Sequence, residues 1–358
     1  MAKSVKVNFV FNLINTISGL LFPLITFPYA SRVIMSEGIG QVNFYTSIIN
    51  YIALFSCIGI PLYGIREIAR VRDSQVDLSR TTVEILLLNL LLNVIGYFAV
   101  AIICLTVARV QANIPLFLVL SAIIALTTIG CSWFYNGIEE FKYITRNLIV
   151  KIIAVIYLFY AVKTQDDLLQ YGIYTVLGTI GNNIFNFLRL RKHIDLSLFG
   201  LRDLNIGRHF KPAIAIFAFN LVTSIYLNLD KVMLGFIQND QAVGYYTAAT
   251  NLSHILLYAV TSLGAVLLPR TSNLIKNDRM DEFKVLSQKA YRFVLILAYP
   301  IMMGTICLAE PLIHLFCGRD FESAIFTLQI ISPIIIFIGI SNIVGMQVLY
   351  PLGKIKIS

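Results

Sequence analysis

Ile85-Leu86-Leu87-Leu88-Asn89-Leu90-Leu91-Leu92-Asn93-Val94-Ile95-Gly96-Tyr97-Phe98-Ala99-Val100-Ala101-Ile102-Ile103-Cys104 runs for twenty residues without a charge. An α-helix rises about 1.5 Å per residue, so such a run matches the roughly 30 Å hydrocarbon core of a bilayer. Runs of this kind recur along the chain. They predict helices near residues 7–30, 41–65, 82–108, 115–136, 148–162, 171–188, 212–236, 244–268, 293–309 and 324–349. The fifth is short and is expected to extend at either end. The expected fold class is therefore all-α: a polytopic membrane protein of about ten transmembrane helices.

Composition agrees with that reading. Of the 358 residues, 58% are hydrophobic and only 13% charged, with a mean hydropathy of +0.79. A soluble domain this apolar lacks the polar residues to cover its surface. The net charge of +9 does not point to nucleic acid, because the basic residues sit in short loops between apolar runs and not on one soluble face. The five cysteines at 57, 104, 131, 307 and 317 form no CxxC pair, and four lie in apolar runs, so they read as free thiols. The first apolar run is too long for a signal-peptide core and lacks a small-residue cleavage site. It reads as the first membrane helix.

Twenty-two of the 28 lysines and arginines fall on one side of the expected topology. They occupy the N-terminus, loops 66–81, 137–147, 189–211 and 269–292, and the tail. The other side holds Arg32, Arg109, Lys163 and Arg319, while Lys151 and Lys231 fall inside spans. The positive-inside rule then places the basic side and the N-terminus in the cytoplasm of a multi-pass inner-membrane protein.

The basic linker 191–211 separates an expected six-helix lobe, 1–190, from a four-helix lobe, 212–358. A weak internal echo links them. Arg32-Val33-Ile34 and Glu37-Gly38-Ile39-Gly40 near the first turn parallel Lys231-Val232-Met233 and Val243-Gly244-Tyr245-Tyr246 further on. Arg66 and Arg270, which open corresponding basic loops, lie 204 residues apart. Pseudo-symmetric lobes are common in transporters. If the second lobe repeats the first, about two helices are missing and the second lobe is incomplete. The alternative is a complete ten-helix protein.

Four stretches, in order, resemble bacterial polysaccharide flippases of the O-antigen type. They are Phe27-Pro28-Tyr29-Ala30-Ser31-Arg32-Val33 with Glu37-Gly38-Ile39-Gly40, and Gly59-Ile60-Pro61-Leu62-Tyr63-Gly64-Ile65-Arg66-Glu67-Ile68-Ala69. Then come Leu229-Asp230-Lys231-Val232-Met233-Leu234-Gly235 with Val243-Gly244-Tyr245-Tyr246, and Gly339-Ile340-Ser341-Asn342 with Gln347-Val348-Leu349. That family lies within a larger exporter superfamily that also contains MATE-like drug exporters. The resemblance implies a non-enzymatic flippase carrying an undecaprenyl-pyrophosphate-linked oligosaccharide from the cytoplasmic to the periplasmic leaflet by alternating access. It also implies contact with membrane lipids and with polysaccharide polymerase machinery.

Such a cargo needs cations for its pyrophosphate and polar groups for its sugars, because a charged head in hydrocarbon is costly. The cations within or at the edges of spans are Arg32, Lys151, Lys231 and Arg66, the candidates for pyrophosphate binding or gating. The alternatives are snorkelling for Lys151, a local charge pair with Asp230 for Lys231, and a positive-inside anchor for Arg66. Asp230 and Glu84 are the span carboxylates and candidates for ion coupling. For Glu84 an interfacial position is the other reading. Candidate cavity groups are Asn12, Asn15, Asn50, Asn220, Asn228, Asn251 and His254. Asn89 and Asn93 share a helix face at i, i+4, and Asn182, Asn183 and Asn186 cluster in the sixth span. Helix–helix hydrogen bonding is the competing role for these amides. Pro23, Pro28, Pro300 and Pro333 fall within spans and are expected to kink them. Tyr45, Tyr245 and Tyr246 are expected in an interfacial aromatic belt.

No Walker A, HExxH, CxxC or GxSxG motif appears. No cofactor and no metal-ligand set is expected, and coupling to H⁺ or Na⁺ stays open. The competing readings are a MATE-like exporter of small molecules, a membrane glycosyltransferase or polymerase, and an inactive truncated product. Short outer loops argue against the enzyme, and the basic lean of the span-end charges argues against an exporter of organic cations.

Overall fold

The computed structural model describes the backbone of residues 5–140, 143–349 and 352. It describes side chains there except for 5–17, 20, 143–146, 201, 219, 220, 223, 226, 262–266, 268, 269 and 346. Every regular element among the described residues is helical. In chain order they are α1 (Val5–Cys57), α2 (Ile60–Val71), α3 (Gln75–Thr106), α4 (Ala108–Gln111), α5 (Ile114–Ile129), α6 (Ser132–Gly137), α7 (Tyr143–Ala161), α8 (Leu168–Ile180) and α9 (Asn182–Leu190). They continue with α10 (Phe210–Ile237), α11 (Asp240–Lys276), α12 (Met280–Cys307), α13 (Ala309–Phe316), α14 (Ala324–Ile331) and α15 (Ile334–Asn342), followed by a π-helical turn, Ile343–Leu349.

Helices occupy all ten expected spans, and the fold is that of an all-α polytopic membrane protein. Five stretches are long and apolar enough to cross a bilayer among the described residues: Leu21–Val71, Gln75–Thr106, Ile114–Gly137, Met280–Cys307 and Ala324–Leu349. Three features differ from the sequence expectation. The first two spans are joined without a loop, the helix of α1 being interrupted at Met35 alone (φ 62°, ψ 179°). The basic loops are shorter than expected, because α2 and α3 extend into 66–81 and α11 and α12 extend into 269–292. The short helix α13 occupies part of a stretch between spans where no helix was expected. Hydropathy marks the hydrocarbon crossing and not the helix ends, so helices that continue into the headgroup region are under-read.

The described chain packs as two compact units. One comprises Met1–Phe22 with Val33–Val243, the other Pro23–Arg32 with Gly244–Ser358.

In the first unit, α3 shows how the sequence builds a membrane helix. Its exposed face carries Leu90, Leu91, Val94, Ile95, Phe98, Ile102 and Leu105, while its buried residues include Thr81, Thr82, Glu84, Asn89, Asn93 and Gly96. This inverts the soluble pattern. Lipid is as apolar as leucine, so contact between helices is driven by close packing and polar bonds. Ser74 caps the start of α3 by accepting from the Asp77 amide, and Asn113 caps α5 by accepting from the Leu116 amide.

Several helices are broken, and each break has a local cause. Between α1 and α2, Ile58 and Gly59 take positive φ (31° and 70°), and Pro61 then starts α2. A Cβ on Gly59 would lie 2.4 Å from the carbonyl oxygen of Ala213. Between α5 and α6, Cys131 is left-handed at φ 46°. Gly181 interrupts the sixth span. In the second unit Pro333 separates α14 from α15, whereas Pro23 and Pro28 sit inside α1 and Pro300 inside α12 without ending them.

The second unit has its own core of Val260, Ala290, Val294, Ala298, Ile335, Ile336 and Ile343. Gly339 lets helices approach closely there, since a Cβ on it would meet Val260 at 2.9 Å and Val294 at 3.1 Å.

Candidate functional site

The first unit brings together two of the predicted cavity amides. Asn50, in the second half of α1, donates through Nδ2 to Oδ1 of Asn228 on α10 at 3.3 Å. Asn228 in turn donates to the carbonyl of Ser224 at 3.2 Å, which fixes its side chain against its own helix. Two residues on, Asp230 Oδ1 accepts from the Lys231 backbone amide at 2.8 Å. Asp230 acts electrostatically on Tyr51, the neighbour of Asn50, whose buried hydroxyl has no hydrogen-bond partner among the described residues. Asn50, Tyr51, Asn228 and Asp230 thus form one polar strip between α1 and α10, with Lys231 touching it through its backbone amide.

Beside that strip lies an apolar cavity of about 600 Å³. Tyr51, Phe55, Ile95, Ile103, Val232 and Phe236 are among its lining residues. Polar groups beside an apolar groove are the arrangement an amphiphile needs, because one end must keep hydrogen bonds while the other leaves them. Sequence reading missed Tyr51. Its only signal was adjacency to Asn50.

The remaining candidates sit elsewhere. Glu84 is fully buried on α3 and saturated with donors. Arg80 Nε donates to it at 3.1 Å, Arg208 Nη2 at 2.6 Å and the Asn205 backbone amide at 2.7 Å, while His209 Nε2 lies at 2.7 Å. Tyr63 hydroxyl meets the other imidazole nitrogen, Nδ1, at 2.6 Å. The segment before α10 is clamped to α3 in this way. Burial pushes the His209 imidazole below its ordinary range, with the hydrogen bond to Glu84 opposing. A neutral ring with Nε2–H donating to Glu84 and Nδ1 accepting from Tyr63 meets the two short contacts, while Arg208 Nε lies 3.2 Å from the same Nε2.

Arg32, in the second unit, donates to the carbonyls of Leu315 (2.6 Å) and His314 (3.4 Å), and to Pro28 (2.6 Å). Its guanidinium caps the C-terminus of α13, where unpaired carbonyls and the negative end of the helix dipole favour a cation. Lys151 is half-buried with its ammonium 5.6 Å from the Phe22 ring centroid. Arg66 is exposed, pairs with Glu67 at 3.4 Å and lies over the Tyr63 ring. Asn251 is half-buried and His254 exposed on α11. The side chains of Asn12, Asn15 and Asn220 lie outside the described residues.

One expectation is corrected. Tyr45 is not in an aromatic belt: it is 1% exposed, and its hydroxyl donates to the carbonyl of Arg109 at 2.6 Å. Arg109 was read only as one of the few cations on its side. It pairs with Asp240 at 2.5 Å and lies over the Phe44 ring at 5.0 Å. Phe44 in turn packs against Phe236 and closely approaches Gly235. A tyrosine that reaches a buried carbonyl gains a hydrogen bond which an interface supplies only from water.

The fold resembles that of a solved multidrug resistance MATE family transporter of the MOP superfamily in its inward-facing conformation. The TM-score is 0.70 at 14% identity, covering 93% of this chain and 81% of that one. Two curated proteins are similar in sequence. A putative O-antigen transporter of Shigella dysenteriae is 26% identical over 341 residues, covering 95% of this chain and 85% of the relative. A putative O-antigen transporter of Escherichia coli strain K12 is 24% identical over 336 residues, covering 93% and 80%. The family model described as "Polysaccharide biosynthesis protein" matches residues 5–275. With three quarters of its length matched, the chain belongs to the polysaccharide biosynthesis protein family.

Proposed function

We propose that this protein is a polysaccharide flippase of the bacterial inner membrane, translocating an undecaprenyl-pyrophosphate-linked oligosaccharide to the periplasmic leaflet by alternating access between two lobes divided at 191–211. The N-terminus is then cytoplasmic, a reading the lysine and arginine distribution supports. Partners on this reading are the lipid-linked oligosaccharide, the surrounding lipids and the polymerase that uses the flipped product.

The observation that carries the reading is the polar strip of Asn50, Asn228 and Asp230, with Lys231 next in sequence, beside the apolar cavity of about 600 Å³. Amides suit sugar hydroxyls, the lysine suits a phosphate, and the groove suits a prenyl tail. The curated relatives, both described as putative O-antigen transporters, point the same way. Arg32, Lys151 and Arg66 remain proposed gating groups, and Asp230 and Glu84 proposed coupling groups.

The test is a lipid extraction from the native host with the gene deleted. Build-up of undecaprenyl-pyrophosphate oligosaccharide on the cytoplasmic leaflet, relieved by the restored gene but not by Lys231→Ala, is expected. A deletion strain with no such build-up, or full relief by the variant, overturns the reading or the role of Lys231 respectively.

A further inference from the structure

In the second unit, α11 and α12 meet at a fixed turn. Asp278 takes the left-handed region (φ 55°), the Arg279 amide donates to the Leu274 carbonyl at 2.9 Å, and the Asp278 amide donates to the Ile275 carbonyl at 3.0 Å. That pair of bonds is the Schellman closure of a helix C-terminus. Further from the turn, Ala290, Val294 and Ala298 of α12 pack with Val260 of α11 and Ile335 of α15 in the core of the unit. The hairpin is thus held at its tip and at its base.

Residues 270–292 carry six lysines and arginines against three acids. The acids sit near the tip, and two of them are already engaged. Glu282 accepts from Arg279 at 2.6 Å, and Asp281 pairs with Lys284 at 3.6 Å. Arg270 on α11 and Lys289 on α12 form no ion pair among the described residues. Both line one cavity of about 340 Å³, with Leu274, Val285, Leu286 and the two engaged acids. Lys289 lies about 10 Å further along α12 than Glu282, towards the apolar part of the helix.

The exposed face of α12 then continues as a lipid-facing one. Val285, Lys289, Arg292, Ile296, Tyr299 and Met303 follow one another at spacings of four and three, the repeat of a single helix face, and all are exposed. The buried residues of the helix are Phe283, Ala290, Val294, Ala298 and Thr305. A stripe that changes from cations to large apolar side chains within about two turns matches an amphiphile lying along it. Snorkelling accounts for a single lysine at a helix end. It does not account for two unpaired cations from separate helices at one concavity that includes the buried Leu274. A guanidinium and an ammonium both suit phosphate oxygens, and basic pockets between membrane helices take anionic headgroups. Bulk phospholipid outnumbers any transported intermediate in the leaflet, so mass action favours it at an exposed surface.

We infer that Arg270 and Lys289, with Arg292 beside them on the same stripe, bind the phosphate of an anionic phospholipid whose acyl chain lies along Ile296, Tyr299 and Met303. The second unit alone makes this site, and it does not depend on the flippase reading.

The experiment is native mass spectrometry of the purified chain, released from nanodiscs of equal parts phosphatidylglycerol and phosphatidylcholine. Phosphatidylglycerol is expected to be retained about tenfold or more over phosphatidylcholine, since each cation near an anionic lipid surface is worth about fivefold. Arg270→Gln with Lys289→Gln is expected to lower that preference at least about fivefold. Arg191→Gln with Lys192→Gln removes the same charge from exposed positions in the basic linker and is expected to leave it unchanged. All four side chains are exposed, and melting in phosphatidylcholine alone checks that both variants fold. If the first double variant melts early, Lys289→Gln alone carries the comparison. Equal retention of the two lipids by the wild type overturns the proposal. A preference unchanged in the hairpin variant places the lipid elsewhere, and equal losses in the two double variants mean that net charge and not this cavity recruits it; either result overturns the proposal. Release of the adduct by millimolar glycerol phosphate would show that the cavity reads a free phosphate and would overturn the lipid assignment.

Discussion

Asn50 and Asn228 are 178 residues apart in sequence, yet the amide of one donates to the amide oxygen of the other at 3.3 Å. The contact joins the second span to the seventh. A hydrogen bond of this length between half-buried amides contributes about 0.6 kcal/mol in a membrane protein, too little to be needed for folding. Asn228→Leu is therefore expected to insert and melt within a few degrees of the wild type. If the strip binds sugar hydroxyls, the same variant lowers oligosaccharide flipping about tenfold or more, read as cytoplasmic-leaflet lipid build-up. Wild-type flipping by Asn228→Leu would remove the strip from the substrate path.

Glu84 anchors the opposite case, a cluster whose loss is felt in stability. Removing its carboxylate leaves Arg80 and Arg208 facing an empty fully buried position. Breaking a buried pair from one side costs about 3–5 kcal/mol, less where the partners keep some water. Glu84→Ala is expected to lose about 2–3 kcal/mol, with Glu84→Gln milder because it keeps one acceptor. A chemical-denaturation midpoint in detergent measures both. Equal stability of Glu84→Ala and wild type would show that the clamp on residues 205–209 is dispensable.

His209 makes that clamp sensitive to pH. Its folded-state affinity for protons is depressed by burial, while the unfolded imidazole titrates near 6.5. Below about pH 6.5 the unfolded chain binds the proton first, so stability is fully present above that pH and is lost as pH falls below it. The melting temperature of the wild type is expected to drop on going from pH 7.5 to 5.5 more than that of His209→Gln. Parallel pH profiles for the two proteins would contradict the assignment.

Gly59 meets two demands at once. Its φ of 70° lies in the left-handed region, and the position a Cβ would take is 2.4 Å from the backbone oxygen of Ala213. The conformation alone costs an alanine about 1 kcal/mol, and a backbone oxygen cannot step aside as a side chain does. Gly59→Ala is expected to destabilise by about 2 kcal/mol or more, measured by thermal melting. A neutral substitution would mean that the α1–α2 break is soft.

Arg109 and Asp240 supply a charge-reversal test. Their pair is partly buried, with the guanidinium also lying over Phe44. Asp240→Arg places two like charges together and is expected to lower Tm by several degrees. The double variant Arg109→Asp with Asp240→Arg should recover at least half of that loss, less the lost contact with the ring. Absence of any recovery would mean that the two side chains do not act on each other.

The amino-acid sequence by itself determined that this is a helical membrane protein and roughly where the chain crosses the bilayer. Both follow from physics that needs no partner: twenty uncharged residues match the hydrocarbon thickness, and a backbone in lipid must bond to itself as helix. The resemblance to polysaccharide flippases was equally legible, in four short stretches read in order. Which polar residues meet was not legible. Asn50 and Asn228, or Glu84 and His209, are joined by the packing of distant helices, and a helix period says only that a residue lies on a face, not what that face meets. Glu84 read as an ion-coupling candidate or an interfacial carboxylate because its partners Arg208 and His209 lie more than 120 residues on. Tyr45 looked interfacial because its acceptor, the carbonyl of Arg109, is a backbone atom that no side-chain pattern marks.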